Sequence, residues 1–220
     1  CSGGARPHGV KRLGAGANPA GAKVASPLLA DLLERGRAGG YPAGIKMIYS
    51  ACGDLVNQLP NVGKTVTALE RLEFMVVHDH FLTPTARYAD LVLPATTFWE
   101  RNDVHTPWSG SGHYVIYMKQ AIAPVGECRN DRDICADLAR RLGLATDDAK
   151  TEEEWLRKLT RGSEIDDWEA FRAAGVARLA PPADPVAFAA EIRDPAAHPF
   201  STPSGKIEIY SSTLAAAADP

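Results

Sequence analysis

Three apolar runs set the frame of the first half of the chain. They are Ile45-Lys46-Met47-Ile48-Tyr49, Phe74-Met75-Val76-Val77 and Leu91-Val92-Leu93-Pro94. The second lacks any polar alternation, which is the pattern of a strand covered on both faces by helices. Between and before the runs the pattern has helical spacing. Ser26-Pro27 opens a helix, with Ser as cap and Pro at the first helical position. Leu28, Leu29, Leu32 and Leu33 then share one face, and Gly36 with Gly39-Gly40 stops the helix. A second helix spans roughly Asn61 to Arg71, with Val62, Thr65, Leu69 and Leu72 on one side. Thr83-Pro84-Thr85-Ala86 makes a short turn. Strand, helix, strand, short helix, strand is the order of a parallel α/β sheet.

Farther along, Asp131 or Asp133 caps a helix that turns Ile134, Leu138 and Leu142 inward and stops at Gly143. Residues 150–195 read as helical and more polar, and Asp184-Pro185 opens a further helix. Phe200-Ser201-Thr202-Pro203-Ser204-Gly205 is a turn into an alternating strand, Lys206-Ile207-Glu208-Ile209-Tyr210, for which no later segment offers a partner. The expected organisation is a loop or frayed terminus over 1–24, a Rossmann-like domain over 25–145, a helical extension over 146–199 and the start of a truncated β domain over 200–220. The chain reads as a piece cut from a longer protein.

Composition narrows the class. Hydrophobic residues make up 45% of the 220, enough for a core. A net charge of -3 offers no basic footprint for nucleic acid, and no apolar run reaches membrane-spanning length. Cys1, Cys52, Cys128 and Cys135 form no C-x-x-C pair, so they read as free thiols packed as small apolar groups.

Ligands of open α/β sheets bind at the carboxyl ends of the strands. Three such ends carry polar residues: Ser50 to Gln58, His78-Asp79, and Pro94 to Asp103 with Glu100-Arg101-Asn102-Asp103. They suggest a nucleotide-sized crevice, although Asp and Asn also serve turns through local hydrogen bonds. Other motifs fail. Gly63-Lys64-Thr65 resembles the end of a phosphate loop, but Gln58 stands where the first Gly belongs. No Gly-x-Ser-x-Gly elbow is present. His78-x-His80 is a weak candidate for a metal pair.

The stretch Thr83-Pro84-Thr85-Ala86-Arg87-Tyr88-Ala89-Asp90-Leu91-Val92-Leu93-Pro94-Ala95-Thr96-Thr97, followed by Glu100-Arg101-Asn102-Asp103, resembles molybdopterin oxidoreductases of the dimethyl sulfoxide reductase family. His78-Asp79 precedes it at the family's distance. Gly53-Asp54 through Asn57-Gln58-Leu59-Pro60-Asn61 is similar to the family's Gly-Asn-Pro loop, with Asp54 where the family has Asn. Asn130-Asp131 resembles its next helix start, and Phe200 to Glu208 resembles the opening of its final β-barrel. The resemblance is dense over 45–145 and 199–211.

It implies an α/β, Rossmann-like parallel sheet flanked by helices, followed by the first strand of a truncated β-barrel domain. It implies binding of part of a molybdopterin guanine dinucleotide through Asp54, Gln58, His78, Asp79, Arg101 and Asp131. The parent would be a molybdenum oxidoreductase reducing S-oxides or N-oxides by oxygen-atom transfer. Formate, nitrate, thiosulfate or aromatic substrates stay open within the fold class, as does a non-catalytic nucleotide-binding or scaffolding module. The family's metal ligand lies outside this stretch, so no catalytic residue and no metal ligand are assigned here. The isolated piece is expected to hold no molybdenum and to show no turnover. Implied partners are the remaining domains of the parent and an electron-transfer subunit.

Overall fold

A computed structural model describes residues 24–106, 114–144, 150–179 and 186–216. The expected N-terminal loop, apart from Val24, and the Asp184-Pro185 helix start lie outside the described residues.

The three apolar runs form one parallel sheet in the order β1-β2-β3. β1 is Met47–Ala51, β2 is Phe74–Asp79 and β3 is Leu91–Pro94. Tyr49 pairs with Val76, and His78 with Ala51 on one side and Leu93 on the other. β2 is central, and Met75, Val76, Val77 and His78 are all buried. A continuous apolar run is required there because water reaches neither face. The edge strands are more open, with Met47 and Leu91 exposed. Asp90 starts the β2–β3 ladder: its carboxylate accepts the Met75 N–H at 2.7 Å, and its own N–H donates to the Met75 carbonyl at 2.9 Å.

Alternation along β2 divides the core. Met75 and Val77 face one way and pack with Val56, Leu69 and Ala86, backed by Leu33 and Val66. These come from α1 (Leu29–Arg35), α2 (Leu55–Gln58), α3 (Val62–Leu69) and the turn before β3. α1 follows a single 3-10 turn, Ser26–Leu28. Ala25 rather than Ser26 holds the position before that turn, and no side chain caps it, so the expected Ser cap is corrected. Gly36, at φ 47°, ends α1 as expected. Asn61 caps α3 by accepting the Lys64 N–H at 3.2 Å.

Val76 and His78 face the opposite side, where α4 (Asp131–Arg141) begins. The segment before α4 is tied to the end of β3: the Arg129 N–H donates to the Pro94 carbonyl and the Thr96 N–H to the Arg129 carbonyl, both at 3.0 Å. The cap is Asn130, which accepts the Arg132 N–H at 3.0 Å, not Asp131 or Asp133. Ile134 is buried as expected, but Leu138 and Leu142 are exposed.

A second sheet was not legible in the sequence. β4 (Asp103–His105), β5 (Tyr114–Met118) and β6 (Val176–Arg178) are antiparallel in that order. Val115 and Tyr117 of β5 pack with Leu156 of α5 (Glu152–Thr160) and Phe171 of α6 (Trp168–Ala174). The stretch read as helical therefore also contributes a strand. Two shorter helices follow, α7 (Ala189–Arg193) and α8 (Ser212–Ala216).

The turn at 200–205 is present, closed by the Phe200 N–H on the Gly205 carbonyl at 3.0 Å. The strand expected over Lys206 to Tyr210 is not formed. Ile207, Ile209 and Tyr210 are exposed, with nothing in the described residues to pair or cover them. The thiols also differ from expectation. Cys52 and Cys135 are exposed and Cys128 is half-buried, all three free.

Glu100 holds the loop after β3. It is 5% exposed. One carboxylate oxygen accepts the N–H and O–H of Thr97, both at 2.8 Å, and the other accepts the Val125 N–H at 2.6 Å. The backbone N–H groups of Thr97 and Val125, then the Thr97 hydroxyl, hold this carboxyl below its ordinary value of 4.5.

Two predictions follow from these caps and clamps. Asn130→Ala should lower stability by about 0.5–2 kcal/mol, and Asp133→Ala by less, in urea unfolding of the two variants. Glu100→Gln should lower the melting temperature at neutral pH. Because the folded pKa of Glu100 is depressed, its contribution is complete above 4.5 and fades as pH falls through the folded value. The melting curves of wild type and variant should therefore converge on acidification, and a constant gap would contradict the assignment.

Candidate functional site

The carboxyl ends of β1 and β2 and the start of α4 enclose a crevice of about 320 Å³. Five of the six expected site residues line it: Asp54, Gln58, His78, Asp79 and Asp131. They come from sequence positions up to 77 apart, brought together by the parallel topology. Cys52, Gly53, His80, Thr83 and Ala95 complete the lining and were not among the six site residues expected from sequence. Arg101 is not in this crevice. It lines a neighbouring cavity, also about 320 Å³, and Asp131 forms part of both walls.

His78 is the buried hub. Its ring is fully enclosed, with Nδ1 at 2.9 Å from Asp131 Oδ1 and Nε2 at 2.5 Å from the Tyr49 hydroxyl. Tyr49 lies two residues before Ala51, the partner of His78, so both side chains project from the same sheet face. Their rings meet edge to face with centroids 5.1 Å apart. With both nitrogens engaged, His78 has no lone pair left for a metal.

Asp54 and Asp79 hold loops. Asp54 Oδ1 accepts the Thr85 N–H at 3.2 Å and its hydroxyl at 2.5 Å, while Thr85 Oγ1 accepts the Val56 N–H at 2.9 Å. This ties the loop after β1 to the turn after β2. Asp79 Oδ1 accepts the His80 N–H at 2.8 Å and the Phe81 N–H at 3.5 Å, and Oδ2 accepts the Thr83 hydroxyl at 2.9 Å. That is local turn chemistry.

Three groups keep free capacity among the described residues. Asp131 Oδ2 and the Gln58 amide make no hydrogen bond there, and Gln58 is exposed. Arg101 spends Nη1 on the Thr96 carbonyl, and its Nε donates to Asp103 at 3.4 Å, but Nη2 has no such bond. The pairing of Arg101 with Asp103 is the structural use that its position allows.

Burial raises the Tyr49 phenol pKa, and Cys135 and Asp131 add to the shift. Burial also raises Cys52, with Asp131 and Asp79 acting in the same sense and Arg101 against them. The shift favours the neutral thiol, and Cys52 is held at φ 60° in the loop after β1. The crevice thus offers carboxylate acceptors and an amide, the groups that recognise N–H and O–H donors of a nucleotide.

Comparison with known proteins shows the family of the chain. The family model for molybdopterin oxidoreductases matches residues 14–141, more than half of the chain. The chain is 37% identical over 183 residues to a dimethyl sulfoxide/trimethylamine N-oxide reductase of Rhodobacter capsulatus, covering 77% of this chain and 22% of that protein. It is 39% identical over 184 residues to the dimethyl sulfoxide reductase DmsA of Escherichia coli, covering 78% and 23%. A biotin sulfoxide reductase of Cereibacter sphaeroides is 36% identical over 187 residues, covering 80% and 25%. The chain thus spans about a quarter or less of the length of these relatives. Among solved structures, acetylene hydratase from Pelobacter acetylenicus superposes with a TM-score of 0.58 at 25% identity, covering 87% of this chain and 25% of that one. With the family match, the parallel sheet and its polar strand ends in agreement, the chain belongs to the molybdopterin oxidoreductase family.

Proposed function

We propose that this chain supplies one wall of the pocket for the guanine dinucleotide end of a molybdopterin cofactor in a longer oxidoreductase. The carrying observation is the gathering of Asp54, Gln58, His78, Asp79 and Asp131 into one crevice at the strand ends. Guanine presents adjacent N–H donors along its pairing edge, which one carboxylate can accept together. Asp131 fits this best, because one of its oxygens is unengaged while both oxygens of Asp79 serve the turn. Gln58 can bond to base or ribose. Arg101, through its remaining donor, suits phosphate or ribose oxygen along the adjoining cavity.

When bound, the molybdenum centre supplies the two-electron oxygen-atom transfer, and this chain's share is to hold and orient the nucleotide arm. We assign the parent to reduction of S-oxides or N-oxides on the names of its sequence relatives. Fold alone would not choose that substrate class, since acetylene hydratase shares it.

The remaining domains of the parent are the proposed partners, with an electron-transfer subunit. Exposed Phe81 and Leu82 after β2, Phe98 and Trp99 after β3, and Ile122 and Val125 after β5 give those domains apolar surface to cover. Exposed Ile207, Ile209 and Tyr210 suit the opening strand of the C-terminal barrel, which would pair with strands outside this chain. On this reading the divisions at 25 and 200 are domain boundaries of the parent, whereas the division at 146 falls inside the β4-β5-β6 sheet and its core.

Replacing Asp131 or Arg101 with Ala in the parent should weaken cofactor affinity by about 10- to 150-fold, the equivalent of a charged hydrogen bond of ~1.5–3 kcal/mol. Molybdenum and guanine nucleotide per folded protein measure this. Full occupancy in both variants, with only a lowered melting temperature, would reduce both residues to loop supports.

A further inference from the structure

β1 is an edge of the parallel sheet, paired on one side by β2. The Phe74 N–H donates to the Lys46 carbonyl at 3.4 Å and Met47 is in register with Phe74, so Lys46, Ile48 and Ser50 turn their backbone groups toward β2. The N–H and C=O groups of Met47, Tyr49 and Ala51 point the other way, where no strand meets them among the described residues. Folded proteins blunt such an edge with Lys, Pro, a bulge or a covering element. Met47-Ile48-Tyr49-Ser50-Ala51 has no charge and no Pro, and its register with β2 runs unbroken over five residues. The side chains beside the edge are bare as well. Ile48 packs with Met75 and Val77, which leaves Met47 and Tyr49 on the opposite face, 48% and 38% exposed and next to Phe74 at 40%.

The position of α1 gives the direction from which the chain enters β1. α1 lies on the core face, where Leu33 packs against the cluster of Met75 and Val77 and the helix packs along α3. α2 and α3, which carry the chain from β1 to β2, lie on that same face. Crossovers between parallel strands of one sheet are right-handed in about 98% of cases. Two crossovers of one hand over one face step across the sheet in the same direction. The crossover through α3 steps from β1 to β2. A crossover through α1 into β1 therefore starts from a strand on the far side of β1, at its free edge. Residues 1–23 contain only Val10 and Leu13 as large apolar residues and offer no run for that strand. The chain covers 22% and 23% of two of its relatives, so most of a protein of that size lies outside it.

We propose that a strand of the parent, N-terminal to this chain, pairs in parallel with the free edge of β1, and that α1 is the crossover helix between the two. Parallel strands send their carboxyl ends to one side of the sheet. The loop that follows the added strand thus comes beside Cys52, Asp54 and Gln58 and extends the wall of the crevice. The inference rests on this chain being part of a longer oxidoreductase, not on the guanine reading of the crevice.

Residue-resolved hydrogen exchange in the full-length parent tests it. The amides of Ile48 and Ser50 report the ladder with β2, and those of Tyr49 and Ala51 report the other edge. With the strand in place, the second pair should exchange within about tenfold of the first. Exchange at Tyr49 and Ala51 faster by more than about tenfold means a free edge and overturns the proposal. A photoreactive benzophenone side chain in place of Met47 identifies the neighbour. Its cross-links should lead to the part of the parent N-terminal to this chain. Links that lead instead to the part beyond Pro220, to a second copy of the parent, or nowhere outside residues 1–220 overturn the proposal. Neither readout involves the cofactor, so the added strand and the guanine reading stand or fall separately.

Discussion

An imidazole buried at the end of a central β-strand must find a partner for each ring nitrogen, because an unsatisfied polar group there would cost about 1–3 kcal/mol. In this protein that demand ties three elements together. His78 is on β2, Tyr49 on the neighbouring β1, and Asp131 at the first turn of α4. The face of the sheet opposite the apolar core of Met75 and Val77 thus ends in a polar network. The crevice opens where the network reaches the surface. The position of α4 relative to the sheet, and with it the shape of the crevice, depends on that contact and on the backbone pairing of Arg129 with Pro94 and Thr96.

Most of the charge around the crevice serves structure first. Asp54 joins two loops through Thr85, Asp79 closes the turn after β2, and Glu100 binds the loop after β3 to the segment at Val125. Each satisfies backbone donors that the parallel topology leaves open at strand ends. Loops so fixed present the few unspent groups, Asp131, Gln58 and Arg101, at defined positions. A cofactor arm can then be held without the cost of ordering its pocket on arrival.

The parallel sheet was legible because its strands are apolar runs separated by helical spacing, and Met75, Val76 and Val77 are buried as their run implied, with Phe74 exposed at its start. The candidate crevice was legible for the same reason, since parallel topology sends all strand ends to one side. Arg101 was misplaced by one cavity because sequence cannot tell which way a loop turns after β3. The antiparallel sheet was missed because β4 and β6 are only three residues long and pair with β5 across long separations. Tyr49 was missed as a partner of His78 because the contact comes from cross-strand register rather than from any local motif. A signal did exist: a Tyr two residues before the register partner of a buried His lies on its face. At 206–210 the alternation is real, but a strand needs a neighbour, and none is present among the described residues.

The central claim is that the strand-end crevice holds the nucleotide end of the cofactor. A structure of the intact parent with cofactor bound tests it most directly. The account predicts the base in the crevice of β1, β2 and α4, with its N–H edge within hydrogen-bonding distance of Asp131. A nucleotide seated elsewhere, with Asp131 facing solvent or another domain, would contradict it.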